Sequence, residues 1–258
     1  MRFSIYCRDD EYSRNLGQKI RTILEDNFND TYDWDHPQLV CCVGGDGTIL
    51  RAIHHYEDQL DSLCFVGIHT GTLGFFTDYT NSELEQFIED LHRNEAKIQS
   101  YSLIEAELDN GKKYHALNEI RLGSFINTVQ YEIYVDSEYF ETICSAGICV
   151  STQAGSTAAN RSLGGAVIDD DLKVMELAQI MPVSHINQHS LTAPYVLKQE
   201  RVITVMGRSL KNSVLCYDHL ETRRLEQVSK VTIRLSDQRV NFIRFHPYSY
   251  LKRLKNLF

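Results

Sequence analysis

The stretch Val40-Cys41-Cys42-Val43-Gly44-Gly45-Asp46-Gly47-Thr48-Ile49-Leu50 constrains the fold most, because a continuous apolar run breaks there into a glycine-rich turn and an apolar helical pattern follows. Val40 to Val43 has the unalternating apolar character of a strand covered on both faces, as in a parallel sheet. Beyond the turn, Ile49, Leu50 and Ile53 recur at helical spacing. The order is strand, loop, helix, and the free N–H groups and positive dipole end of such a helix form a natural phosphate site. Gly44, Gly45 and Gly47 allow positive φ and the close approach of a ligand, and Thr48 is placed to cap the helix. Asp46 does not suit a pure phosphate cradle, since a carboxylate beside phosphate oxygens is repelled unless a cation or a reacting hydroxyl intervenes. It points to chemistry; the alternative is a carboxylate that only caps the helix. The loop lacks the lysine of G-x-x-x-x-G-K-[ST] and does not match G-x-G-x-x-G.

The flanking sequence extends the same alternation of elements. Phe3, Ile5 and Cys7 read as a strand, Leu16, Ile20, Ile23 and Leu24 as a helix face, and Leu63 to Ile68 as another strand, which predicts a parallel sheet. This last strand runs into a second glycine-bearing loop, His69 to Thr77, at the strand ends where parallel sheets bind ligands. Its rings, Phe75 and Phe76, read either as part of a site or as core. Ser82 and Glu85 have capping-box spacing before Leu84, Phe87, Ile88 and Leu91 on one helical face. Around residue 96 the pattern turns to strand alternation, with Ile98 to Leu108 and Tyr114 to Leu122 flanking the hairpin signal Asp109-Asn110-Gly111. Further short strands, among them Val129 to Val135, Arg201 to Met206, Val214 to Leu220, Val231 to Leu235 and Val240 to Phe245, continue in kind. Tyr248 to Phe258 reads as a short amphipathic helix returning to the first domain, with Lys252, Arg253 and Lys255 on its solvated face. The expected fold is thus an α+β two-domain one. An N-terminal α/β domain with a parallel sheet covers 1–95 plus 248–258, and a mostly antiparallel, β-sandwich-like domain covers 96–247.

Composition narrows the partners. A net charge of -9 argues against nucleic acid, which requires clustered basic charge. No apolar run approaches the roughly 20 residues that span a membrane, and Met1 to Tyr6 reads as a strand rather than a signal peptide, so the expected location is the cytoplasm. The seven cysteines sit mostly in apolar settings without C-x-x-C, the usage of reduced buried thiols. The ten histidines lack H-E-x-x-H spacing, and Asp169-Asp170-Asp171 reads as a solvated acidic turn, so no protein-held metal is expected.

Two polar clusters interrupt the second domain. Asn118-Glu119 lies within an apolar strand, where adjacent side chains face opposite ways unless a bulge or strand end intervenes; a partly exposed edge strand is the alternative. The run Gly147 to Gly165 is rich in Gly, Ser and Thr, suited to backing a flat ring or a diphosphate, or to a plain surface loop.

At Gly44 to Thr48 the chain resembles the NAD kinase family, whose signature is Gly-Gly-Asp-Gly-Thr after a strand. Variants of that signature occur in diacylglycerol, sphingosine and phosphofructokinase-like kinases. Leu73 to Thr77, Asn118-Glu119 and the Gly155-Ser156-Thr157-Ala158-Ala159-Asn160 run are similar to further motifs of the NAD kinases, in the same order. The resemblance implies transfer of the terminal phosphoryl group of ATP, or of polyphosphate, to the 2′-hydroxyl of the adenosine ribose of NAD. Asp46 would be the general base, with magnesium accompanying ATP. It further implies that Phe75 lines the nucleotide site and that Asn118 and Glu119 hold the adenosine part. Ser156, Thr157, Ala158, Ala159, Asn160, Arg161 and Ser162 would line the dinucleotide, His219 would approach it, and the subunits would form a homotetramer. The chain departs from the family pattern at Ala146, where Gly-Asp-Gly is usual, at Ala159, where the family has tyrosine, and at Gln153, where it has proline. Rival readings are a non-catalytic NAD or NADP sensor on the same scaffold and a lipid kinase sharing the glycine loop.

Overall fold

The computed structural model describes every residue except 94, 125, 184–189, 219–220 and 258. The chain divides into two units, Met1–Tyr101 with Gln238–Phe258, and Ser102–Asp237. The change of sequence pattern near residue 96 marks the start of a long strand rather than the end of the first unit.

The first unit opens with β1 (Arg2–Cys7), α1 (Glu11–Phe28), β2 (Thr31–Tyr32), β3 (Leu39–Val43) and α2 (Asp46–His55). β4 (Cys64–His69), β5 (Tyr79–Thr80) and α3 (Leu84–Arg93) follow. Strands β2, β1, β3 and β4 lie side by side in that order, all parallel, with β5 parallel to β4. Every residue of β3 is buried, as its unbroken apolar run requires. α1 starts at Asp10, whose carboxylate accepts the Ser13 N–H at 2.8 Å, and packs Ile20 and Leu24 onto Phe3 and Leu39. The capping box before α3 sits two residues earlier than the sequence reading placed it. Thr80, freed at the end of β5, donates its backbone N–H to Glu83 at 2.8 Å, and Ser82 with Glu85 forms no box.

The second unit is built on antiparallel strands. The hairpin of β6 (Lys97–Leu108) and β7 (Lys113–Ala116) turns at Gly111, whose φ of 82° suits glycine. Then come β8 (Glu119–Gly123), β9 (Val129–Val135), β10 (Glu138–Ser145), β11 (Gly147–Thr152) and α4 (Ala159–Ser162). β12 (Val174–Ile180), β13 (Tyr195–Lys198), β14 (Ile203–Met206), β15 (Val214–Tyr217), β16 (Glu221–Arg224) and β17 (Lys230–Arg244) complete it. One sheet runs β13-β12-β11-β8-β15-β16, and β10, β9, β14 and the start of β17 pair in a second. Ile120, Ile148 and Val150 of the first share a core with Tyr131, Ile133 and Ile203 of the second, the sandwich-like arrangement the alternation predicts.

The end of β17 belongs to the first unit, pairing Phe242 with Phe65 of β4 in parallel, and α5 (Tyr250–Lys255) follows. α5 inverts the expected amphipathic face: Arg253 is buried at 7% exposure, whereas Leu251 is 67% exposed. The reason is that Arg253 reaches backbone carbonyls of residues 74 and 77, partners that a leucine has no donor to satisfy.

Phe242, fully buried, stacks on Phe76 at 5.3 Å and lies edge-on to Tyr101 at 5.7 Å. Phe242→Ala should therefore destabilise the first unit by about 3–5 kcal/mol, read as a lowered denaturant midpoint.

Candidate functional site

In the first unit, β3 delivers the chain to Gly44, where φ is 154° and a Cβ would meet Thr48 Oγ1 at 2.3 Å. Glycine is required there by both backbone and packing. Gly45 is the N-cap of α2, without a side-chain cap, and Thr48 is not the cap the sequence suggested. It lies inside the first turn, 1% exposed, its hydroxyl accepting from Arg51 at 3.3 Å. Gly45 has an ordinary φ of -103° and nothing within 4 Å of a built Cβ. Neither strain nor crowding calls for glycine at that position; the ground in front of it is open.

Asp46 does not cap its own helix. Its carboxylate reaches the second glycine loop and accepts the backbone N–H of Phe75 at 2.8 Å and of Phe76 at 3.0 Å. A Cβ on Gly74 would fall 2.2 Å from Asp46 Oδ1, so Gly74 is the residue that lets the carboxylate in. Burial pushes the Asp46 carboxyl above the usual carboxylate range, opposed by the two N–H bonds and by the Arg253 and Arg244 guanidinium groups. Phe76 is core at 3% exposure, whereas Phe75 is half-buried beside Tyr250 at 5.8 Å.

In the second unit, the segment read as one strand from Tyr114 to Leu122 breaks at Leu117 and Asn118, between β7 and β8. Asp218 holds the break. Its carboxylate accepts the N–H groups of Leu117 and Asn118, each at 2.7 Å. Thr152 Oγ1 donates to Leu117 O at 2.6 Å, and Gly155 packs so closely that a Cβ would lie 2.0 Å from Asn118 O. This is the strand end that Asn118-Glu119 needs. Among the described residues, Asn118 Oδ1 and Glu119 Oε2 are buried without a hydrogen-bond partner. Burial raises the Glu119 carboxyl to about 7, helped by the nearby Asp218 charge and opposed by Arg121 and the Ala159 N–H.

The Gly/Ser/Thr run is not a plain surface loop. A tight helical turn, Ala154–Thr157, leads into α4 with Ser156 and Asn160 fully buried. Ser156 Oγ accepts from Ile168 N at 3.1 Å, and Asn160 Nδ2 donates to Glu176 at 2.9 Å while, among the described residues, Asn160 Oδ1 is buried without a hydrogen-bond partner. Thr157 is buried as well, Ala158 and Ala159 are half-buried, and Arg161 and Ser162 are exposed. Ala146, between β10 and β11, lines a cavity of about 530 Å³ with Ala159, Ser162 and Arg121. His219 lies outside the described residues. Among the described residues no three His, Cys, Asp or Glu side chains converge as a metal nest, and no helix is long and apolar enough to cross a membrane.

Gly74, Thr152 and Asp218 escaped the sequence reading. Asp218 left a trace, a charged residue closing the apolar strand Val214–Tyr217; Gly74 and Thr152 gave none beyond their place in glycine- and hydroxyl-rich runs.

Comparison with known proteins finds relatives along the whole chain. Residues 7–96 match the ATP-NAD kinase N-terminal domain, and residues 117–245 match the ATP-NAD kinase C-terminal domain. NAD kinase 1 of Bacillus cereus is 33% identical over 263 aligned residues, covering 100% of this chain and 98% of that protein. The NAD kinase of Geobacillus stearothermophilus is 33% identical over 261 residues, covering 99% and 96%. Among solved structures, yeast NADH kinase complexed with NADH superposes with a TM-score of 0.84 at 15% identity, over 100% of this chain and 87% of that one. An NAD kinase from Archaeoglobus fulgidus in complex with ATP gives 0.75 at 22% identity, over 100% and 97%. The structural likenesses speak for the fold; the sequence matches, which span the glycine loop, Asn118-Glu119 and the turn into α4, carry the kinship, and the chain belongs to the ATP-NAD kinase family.

Proposed function

We propose that the chain phosphorylates NAD, transferring the terminal phosphoryl group of ATP, or of polyphosphate, to the 2′-hydroxyl of the adenosine ribose to give NADP. The observation that carries this reading is Asp46, fixed by two backbone N–H groups beside a glycine turn whose Gly45 faces open space. Each carboxylate oxygen uses one lone pair on an amide and keeps another. A ribose hydroxyl at hydrogen-bond distance gives its proton to that free lone pair while its oxygen forms the new bond to phosphorus. The bond between phosphorus and the donor's bridging oxygen breaks, and ADP leaves with the electron pair. Burial makes Asp46 a stronger base than a solvated carboxylate, and its amide partners fix its aim.

The donor phosphates would lie at Gly44 to Thr48, on the positive end of α2. Asp46, the acidic side chain in the first turn of α2, puts a carboxylate oxygen beside the place where magnesium would arrive on the triphosphate, and so fits such a cation. Bound so, magnesium would neutralise charge on the transferring group. Asn118 and Glu119 offer unsatisfied buried oxygens to the hydroxyl and amino donors of adenosine. A homotetramer in the cytoplasm completes the proposal.

Asp46→Asn keeps size and removes the proton acceptor. Turnover should fall roughly 10²-fold to 10⁴-fold with NAD affinity and melting temperature little changed; near-normal turnover in a folded protein would sink the base assignment. The Glu119 carboxyl, at about 7, should bind ribose hydroxyls best when ionised. Binding draws the proton off, so NAD affinity should weaken as pH falls through about 7, and Glu119→Gln should flatten that dependence in calorimetric titration. Ala146 and Ala159 share the cavity, so restoring the family residues with Ala146→Asp plus Ala159→Tyr should tighten NAD binding. Unchanged affinity would remove both positions from the dinucleotide site.

A further inference from the structure

The loop that holds Asp46 is itself held, carbonyl by carbonyl, from the last stretch of the first unit. Arg253 Nη1 donates to the Gly74 carbonyl at 2.6 Å and to the Thr77 carbonyl at 2.5 Å. The Tyr248 hydroxyl donates to Phe75 O at 3.3 Å, and Arg244 Nη1 to Phe76 O at 3.2 Å. The carbonyls of four consecutive residues are thus taken by three side chains, while the amides of Phe75 and Phe76 turn the other way onto Asp46. Asp78 braces both guanidinium groups, accepting from Arg253 Nη2 at 3.0 Å and from Arg244 Nη1. The Tyr248 ring lies 4.8 Å from the Arg244 guanidinium and 4.6 Å from that of Arg253, within cation–π range of each.

The connection to Asp46 is covalent geometry. A peptide unit is planar, so the carbonyl of one residue and the N–H of the next move together. Arg253 grips the oxygen of the Gly74–Phe75 unit, whose N–H donates to Asp46 Oδ2. Tyr248 grips the oxygen of the Phe75–Phe76 unit, whose N–H donates to Asp46 Oδ1. Each grip orients one donor, and a carbonyl that accepts from a donor polarises its own amide and strengthens the bond on the far side. Loop carbonyls are ordinarily left to water at no cost. Burying two arginines to hold these, at 3% and 7% exposure, carries a desolvation penalty that closing the loop alone does not require.

We infer that Arg253 and Tyr248 are positioning residues for Asp46, acting through the peptide units Gly74–Phe75 and Phe75–Phe76, with Arg244 bracing Arg253 through Asp78. The inference rests on the reading of Asp46 as the base. Misaiming a base by a fraction of an ångström to an ångström costs up to about 10²-fold in rate without touching substrate contacts.

The experiment compares wild type, Arg253→Met, Arg253→Lys and Tyr248→Phe, each also in the Asp46→Asn background. Steady-state kinetics with NAD and ATP and amide hydrogen exchange at Phe75 and Phe76 are both recorded. Arg253→Met should lower kcat about 10-fold to 100-fold with both KM values within about twofold. Arg253→Lys should recover part of the loss, and Tyr248→Phe should lower kcat less. Exchange at Phe75 and Phe76 should quicken while amides of β1 and β3 stay as they are. In the Asp46→Asn background the same changes should cost nothing further, because a positioning residue has nothing left to position. An equal loss in both backgrounds, unchanged exchange, or unchanged kcat overturns the inference. Should Arg253→Met fail to fold, Tyr248→Phe, which deletes one hydroxyl, carries the same test. If Asp46→Asn alone turns over normally, it is the general-base reading that fails, and the exchange at Phe75 and Phe76 then decides the positioning by itself.

Discussion

The contact on which the proposed chemistry depends is the carboxylate of Asp46 against two peptide amides of the neighbouring loop. It ties the end of β3 to the end of β4, two parallel strands whose carboxyl ends lie side by side. A parallel sheet gives such loops proximity but no mutual alignment. Here one side chain supplies the alignment, and Gly74 makes the room for it. The same contact answers a conflict of charge. A carboxylate next to a turn suited to phosphate is unfavourable, but amide dipoles and nearby guanidinium groups oppose the effect of burial on Asp46.

The second unit solves a different problem with the same chemistry. There a carboxylate, Asp218, takes over two N–H groups that a strand break would otherwise orphan. That leaves Glu119 buried with an unpaired oxygen and a carboxyl raised to about 7. The two acids stand close in space and in opposite condition, one fully used by the backbone and the other held ready. The hydrogen bonds of Asp218 mark it as a structural acid, and the unpaired oxygen of Glu119 is what the proposed binding role draws on.

Local pattern made the layered architecture legible. The unbroken run of β3, the glycine turn and the alternation after residue 96 each reported a period that the fold obeys. Asp46, Asn118 and Glu119 were visible as charges and amides in apolar surroundings. The supports were not visible, because they come from far along the chain: Asp218 is 101 residues from Leu117, and Arg253 is 179 residues from Gly74. Helical periodicity misled at α5 for the same reason. Arginine reads as solvent-facing unless the acceptors that bury it are known, and those acceptors are two backbone carbonyls with no signature in sequence and the carboxylate of Asp78, 175 residues away. The misplaced capping box is a smaller case: Ser82 and Glu85 fit the spacing, but the strand end that needs a cap lies at Thr80.

The grip on residues 74 to 77 has a consequence for synthesis. Ribosomes deliver the chain in order, so Asp46 and its loop emerge long before Arg244, Tyr248 and Arg253 exist. Until then the loop has amides but no anchor, and its peptide planes are free to turn. The two loops are therefore aligned only once the chain through Arg253 has been made. Up to that point the chain carries the whole glycine signature without an aimed Asp46 carboxylate.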